Sequence, residues 1–81
     1  MSINVIKSPD HYAKWAIEPI TFIMGNGLSF WRGNVLKYVV RAGSKHYVGM
    51  SPDESEITDL KKARRYIDMR LNQLEGRPIN E

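Results

Sequence analysis

The stretch that decides the fold is Gly33-Asn34-Val35-Leu36-Lys37-Tyr38-Val39-Val40-Arg41-Ala42-Gly43. On a helix of 3.6 residues per turn it divides into two faces. The apolar face consists of Val35, Leu36, Val39 and Val40. The polar face, at positions i, i+3, i+4 and i+7, consists of Asn34, Lys37, Tyr38 and Arg41. The stretch therefore predicts an amphipathic helix that ends at Gly43, where a left-handed cap belongs.

The polar face of this helix has a composition that suits an anion. It offers an amide, an ammonium, a phenol and a guanidinium but no carboxylate, and such a set can bind a phosphate. An ordinary solvent-facing helix is an equal alternative, because polar outer faces are common on surface helices. The flanking sequence favours the anion, since no acidic residue lies between Glu18 and Asp53. The cations of this block are Arg32, Lys37, Arg41 and Lys45.

Length and composition limit the classes of protein. A chain of 81 residues with 42% hydrophobic and 26% charged residues is one ordinary folded domain with a small core. The absence of cysteine excludes disulfides and thiolate metal sites. Homo-oligomerisation is one way to gain buried surface. No apolar run approaches the ~18 residues of a membrane span and no signal peptide is evident, so we expect no membrane partner and a cytoplasmic protein.

The N-terminal residues 1–8 are predicted to form a short irregular arm. Asp10 and His11 follow, and they place a carboxylate beside an imidazole. The pair could be a catalytic base with its orienting group, or a cation site. A turn aspartate beside a hydrogen-bonded histidine is the plainer alternative, because adjacent residues do not usually face each other.

A first short helix is predicted within residues 17–24, with Pro19 in its first turn and Glu18 as a capping carboxylate. Its core-facing residues are expected to be Ile20, Ile23 and Met24. A glycine turn at residues 25–27 separates it from a second helix that begins near Ser29. Gly33 lies inside that second helix at a cost of ~1 kcal/mol relative to alanine, which predicts close approach of another helix or a ligand.

The third helix has the strongest local signal. Ser51, Pro52 and Glu54 form a capping box with proline at the first helical position. The helix is predicted to run to about Glu75, followed by a loose tail over residues 76–81. Its buried stripe is expected to be Ile57, Leu60, Ala63, Ile67, Leu71 and Leu74.

Beside this stripe, Asp59, Lys62 and Tyr66 share one flank of the third helix. Asp59 and Lys62 could pair within the helix. Alternatively, the flank faces the second helix, so that Tyr66, Lys62, Lys37 and Arg41 line one cleft in which Asp59 orients the cations. The loop between the helices adds Lys45, His46 and Tyr47, which could clamp a nucleobase and its phosphate or form a solvated connector with Tyr47 turned inward. We predict an all-α bundle of three main helices over residues 9–75, completed by oligomerisation.

The chain resembles a small bacteriophage family whose module also occurs within the nucleotide kinase of T-odd podophages. The resemblance covers roughly residues 9–74. It rests on Pro9-Asp10-His11-Tyr12, Glu18-Pro19-Ile20, Gly33-Asn34-x-x-Lys37-Tyr38-x-x-Arg41 with Lys45, and Asp59-Leu60-Lys61-Lys62-Ala63-x-x-Tyr66-Ile67. It implies a helical module that handles nucleotides in the host cytoplasm, without the P-loop that this chain lacks.

The resemblance and the residues together define the expected site. Candidate catalytic residues are Asp10 and His11, and candidate nucleotide-binding residues are Asn34, Lys37, Tyr38, Arg41, Lys45, Asp59, Lys62 and Tyr66. A nucleoside monophosphate kinase would use Mg²⁺ that arrives with the nucleotide. The alternatives are a module that sequesters a nucleotide without turnover and an accessory protein that binds nucleic acid through the cationic block.

Overall fold

The computed structural model describes residues 15–81, and within that range it has three α-helices and no strand. Helix α1 is Pro19–Gly25, α2 is Phe30–Arg41 and α3 is Pro52–Leu74. The predicted all-α class and the three main helices are confirmed. The N-terminal arm, Asp10 and His11 lie outside the described residues. Helix α2 packs against both α1 and α3.

Helix α1 starts with Pro19 directly after an extended Glu18. Glu18 is the N-cap residue, as predicted, but its side chain makes no capping hydrogen bond. The predicted core face is also only partly right. Ile23 is buried, whereas Ile20 and Met24 are exposed.

Close packing of α1 on α2 depends on Gly33. A β-carbon built at Gly33 would lie 2.9 Å from Cγ2 of Ile23, and Gly33 is buried. The close approach predicted from a glycine inside a helical pattern is therefore confirmed. Gly43 follows the end of α2 with φ +84°, the left-handed conformation that the sequence predicted there.

Helix α3 begins and ends with specific hydrogen bonds. At its start the Glu54 amide donates to Ser51 Oγ at 3.1 Å, and the Ser51 amide donates to Glu54 Oε1 at 2.7 Å. This confirms the capping box. At its end the side-chain nitrogen of Asn72, Nδ2, donates to the main-chain oxygens of Ile79 and Glu81. The tail expected to be loose is therefore folded back onto α3.

The face that α3 buries is not the predicted one. Its buried residues are Ser55, Asp59, Ala63 and Asn72. The apolar side chains expected to be buried are between 41% and 65% exposed, namely Ile57, Leu60, Ile67, Leu71 and Leu74. Of the predicted stripe only Ala63 is buried, and the correction has a physical reason. Asp59 on the polar flank of α3 pairs with Arg41 of α2. Ala63 is small, so α3 can approach α2 closely.

We predict that Gly33→Val lowers the free energy of unfolding by about 1–3 kcal/mol, because a branched side chain overlaps Ile23 and forces α1 away from α2. Gly25→Ala is the matched control. Gly25 is helical and has open space around its β-carbon position, so alanine there should be neutral or stabilising by about 0.4–1 kcal/mol. Urea denaturation followed by circular dichroism measures both. Equal stability of Gly33→Val and the parent chain would contradict the packing described.

Candidate functional site

A buried carboxylate joins α2 to α3. Asp59 is fully buried, and its Oδ1 accepts a hydrogen bond from Arg41 Nη2 at 2.9 Å. Arg41 Nε lies 3.4 Å from Oδ2 of the same carboxylate. The Arg41 side chain is only 10% exposed, so both charges of this ion pair are largely removed from water. Such a pair is costly to break, because the remaining charge would be buried alone.

The hydroxyl group of Tyr47 completes this network. It donates its hydrogen to Asp59 Oδ1 at 2.6 Å and accepts from Arg41 Nη2 at 2.7 Å and from Lys62 Nζ at 3.1 Å. One donated and two accepted bonds use the full capacity of a phenol oxygen. The Tyr47 amide also donates to Ser55 Oγ at 2.9 Å, which fixes the α2–α3 loop to α3. Of the alternatives left open for Tyr47, the structure turns its hydroxyl inward.

Aromatic rings extend the contact between the two helices. The rings of Tyr38 on α2 and Tyr66 on α3 are stacked, with centroids 6.0 Å apart and planes inclined by 14°. Phe30 meets Tyr66 edge-on, with centroids 5.9 Å apart. Offset stacks and edge contacts of this kind add stability beyond burial of area. The polar flank of α3 is thus held against the polar face of α2 along several turns.

Cations surround the two tyrosine rings nearest the buried ion pair. Lys37 Nζ lies 4.8 Å from the Tyr38 ring centroid, and Lys45 Nζ lies 4.9 Å from that of Tyr47. Lys62 Nζ is 5.4 Å from the first ring and 4.9 Å from the second. These distances are typical of cation–π interactions. We call this group the cation–tyrosine cluster, which comprises Lys37, Tyr38, Arg41, Lys45, Tyr47, Asp59 and Lys62.

The cluster carries a surplus of positive charge. Its four cations face one carboxylate, and that carboxylate is engaged by Arg41 and Tyr47. Within residues 15–81, no ion pair involves Lys37, Lys45 or Lys62. Each of these three lysines is nevertheless half-buried. Half-buried ammonium groups without a carboxylate are a favourable environment for an anion.

The pKa of Asp59 reflects its surroundings. Burial raises the pKa of this carboxyl, but hydrogen bonds from Arg41 and Tyr47 and the charges of Arg41 and Lys62 outweigh burial, so the net pKa lies below the ordinary value. A carboxyl with a lower pKa in the folded than in the unfolded chain stabilises the fold above the unfolded pKa. That contribution is lost as pH falls below about 4 toward the folded pKa.

The structure brings most of the predicted site residues together. Those that meet at the α2–α3 contact are Lys37, Tyr38, Arg41, Lys45, Asp59, Lys62 and Tyr66. Asn34 differs, because its side-chain nitrogen donates to the Phe30 carbonyl oxygen of its own helix. Sequence reasoning missed Ser55, which holds the loop. The available signal is the recurrence of the small or polar residues Ser55, Asp59 and Ala63 at every fourth position, which places them along one line of α3.

The described part of the chain has no group of three or more histidine and acidic residues arranged to hold a metal ion. The carboxylate of Asp59 accepts hydrogen bonds from Arg41 and Tyr47. Among residues 15–81 there is also no helix with the length and apolar character that crossing a membrane requires.

Residues 6–68 match the model of DUF3310, a family described as proteins of unknown function. The chain belongs to this family. The matched range includes α1, α2, most of α3 and every member of the cation–tyrosine cluster. No curated protein and no solved structure matches the chain. Membership of DUF3310 thus establishes the family and assigns no activity.

We predict that Tyr47→Phe lowers the free energy of unfolding at neutral pH by about 1.5–3 kcal/mol, because a hydrogen bond to a charged group is lost. It should also raise the pKa of Asp59 in the folded chain toward its unfolded value, so that less stability is lost as pH falls below about 4 than in the parent chain. Urea denaturation between about pH 3 and pH 7 measures both effects. Tyr66→Phe is the matched control, since the Tyr66 hydroxyl makes no hydrogen bond within the described residues. Identical pH profiles for Tyr47→Phe and Tyr66→Phe would contradict the network.

Proposed function

We propose that this protein binds phosphorylated nucleotides at the cation–tyrosine cluster. The observation that carries the proposal is the set of three half-buried ammonium groups around two tyrosine rings, with no carboxylate paired to them within residues 15–81. The groups are Lys37, Lys45 and Lys62. A phosphate satisfies such groups through charge-assisted hydrogen bonds.

The buried ion pair explains why these lysines remain available. Asp59 accepts from Arg41 and Tyr47 and is fully buried, so it orients the network without neutralising Lys37 or Lys45. Arg41 is engaged with Asp59 in the fold. The proposal therefore assigns phosphate binding first to the three lysines, whose flexible side chains can move toward a ligand.

The tyrosine rings suit the other half of a nucleotide. Lys45 and Lys62 lie near the ring of Tyr47. A phosphate group that attracts these ammonium groups leaves part of the ring uncovered, and a nucleobase can stack on an aromatic ring with little dependence on its identity. A phosphate site beside an aromatic surface favours a mononucleotide over a simple inorganic anion.

The bacteriophage resemblance points in the same direction, to a phage protein that handles nucleotides in the host cytoplasm. Phosphoryl transfer depends mainly on positioning and charge neutralisation, which the lysines and Mg²⁺ carried by the nucleotide can supply. Kinase activity is the stronger form of the proposal, with Asp10 and His11 as the candidates for proton transfer. Sequestration without turnover needs the same cluster and no base.

We predict that Lys37→Ala combined with Lys45→Ala weakens nucleotide binding at least about tenfold, because two charge-assisted contacts are removed. Isothermal titration with nucleoside mono-, di- and triphosphates, with and without Mg²⁺, measures the dissociation constant. The matched control combines Arg32→Ala with Lys61→Ala. It removes the same charge from exposed positions outside the cluster.

The possible results separate the alternatives. Equal weakening in both double variants indicates a net-charge effect rather than a site. Binding of long single-stranded DNA with a steep salt dependence and no binding of mononucleotides favours nucleic acid. If a nucleotide binds, incubation of a nucleoside triphosphate with a deoxynucleoside monophosphate and Mg²⁺ tests for turnover. Formation of both diphosphates identifies a kinase, and its absence leaves sequestration.

A further inference from the structure

The exposed side of α3 carries a regular apolar seam. Ile57, Leu60, Ile67, Leu71 and Leu74 are between 41% and 65% exposed, and Arg64 is exposed among them. The six positions are separated alternately by three and four residues, which is the spacing of the two core positions of a heptad repeat. Five of the six are apolar. An apolar stripe with this spacing is typical of a helix face that packs against another surface.

Within residues 15–81, the seam lies outside the contact between α2 and α3. Of the residues that α3 buries, Ser55 and Asp59 occupy heptad positions on the other side of the helix, and Ala63 borders the seam. The cation–tyrosine cluster lies on that other side. The seam is therefore accessible along about 18 residues without displacing α2.

We propose that a second copy of this chain covers the seam, with the two α3 helices antiparallel. In this arrangement each layer pairs the first core position of the heptad in one copy with the second core position in the other copy. Ile57 lies against Leu74 of the second copy, Leu60 against its Leu71, and Arg64 against its Ile67. The contact is related by a twofold axis near the middle of the seam, so the same surface serves both copies.

Arg64 decides the orientation. In a parallel pair, Arg64 would face Arg64 of the second copy in one core layer, where two like charges oppose each other. The parallel arrangement offers solvent-exposed ion pairs at the flanks, but such pairs contribute little. In the antiparallel pair, each Arg64 lies against an isoleucine of the other copy, and its charged end can extend to water.

Charges beside the seam fit the antiparallel arrangement. Lys61 and Asp68 are exposed on the flank away from the α2 contact. The twofold axis brings Lys61 of each copy near Asp68 of the other. Glu54 and Glu75 meet at the ends of the seam, but each is already engaged in its own chain, by the Ser51 amide and by Arg77.

The test is the molar mass of the full chain in solution, measured by sedimentation equilibrium over a range of concentrations. The parent chain should be a dimer. Leu60→Glu combined with Leu71→Glu places two carboxylates in each of two symmetry-related layers and should give a monomer with unchanged helical circular dichroism. Val48→Glu, at a fully exposed loop position off the seam, is the control and should remain a dimer. A monomeric parent chain, or an assembly whose mass the double substitution does not change, overturns the proposal.

Orientation is tested by disulfide exchange, since the chain has no cysteine of its own. Ile57→Cys and Leu74→Cys proteins are mixed and oxidised. An antiparallel seam gives the mixed disulfide between the two variants. Disulfides within each variant alone indicate parallel helices and overturn the proposed orientation. Nucleotide binding by the Leu60→Glu and Leu71→Glu double variant is measured separately, so failure of the seam and failure of the nucleotide site are distinguishable.

Discussion

The ion pair between Arg41 and Asp59 is the interaction on which the rest of the described structure depends. It joins the last turn of α2 to the N-terminal third of α3, and both side chains are buried. Breaking a buried pair by removing one partner costs about 3–5 kcal/mol, a large share of the roughly 5–15 kcal/mol that stabilises a typical domain. Few apolar side chains are buried among residues 15–81, so this charge pair determines which faces of α2 and α3 meet.

Two consequences follow for the surface. Because Asp59 is used within the fold, the lysines around Tyr38 and Tyr47 keep a surplus of positive charge on one side of the helix pair. Because α3 packs through its polar flank, its leucines and isoleucines lie on the opposite side. The proposed nucleotide site and the proposed dimer contact thus both follow from the packing of the polar flank of α3 against α2. They occupy different faces of α3.

Much of the fold could be predicted from local sequence signals. The start of α3 follows from its capping box, the end of α2 from Gly43, and the approach of α1 from Gly33. These features depend on a few neighbouring residues and on backbone geometry. The flank of α3 that contains Asp59 is also recognisable from the sequence. Its polar residues lie on one face of α3, and the polar face of α2 carries cations that can pair with Asp59.

The rest could not be predicted because it depends on competition between faces. Periodicity identifies an apolar stripe but does not indicate whether the chain itself or another molecule covers it, so it predicts that Leu60 and Leu71 are buried although both are exposed. The direction of Tyr47 depends on Asp59, twelve residues later, and on Lys62. The side chain of Asn34 donates to the carbonyl oxygen of Phe30, one turn earlier in the same helix. Composition alone does not reveal this local hydrogen bond.

The most direct test of the central claim is a two-dimensional ¹H–¹⁵N NMR titration of the full chain with a deoxynucleoside triphosphate and Mg²⁺. A nucleotide site at the cluster predicts saturable shifts that concentrate at Lys37, Tyr38, Lys45, Tyr47 and Lys62, with little change along the exposed seam. Shifts confined to other surfaces, or no shifts at millimolar nucleotide, would contradict the claim that the cation–tyrosine cluster is a nucleotide site.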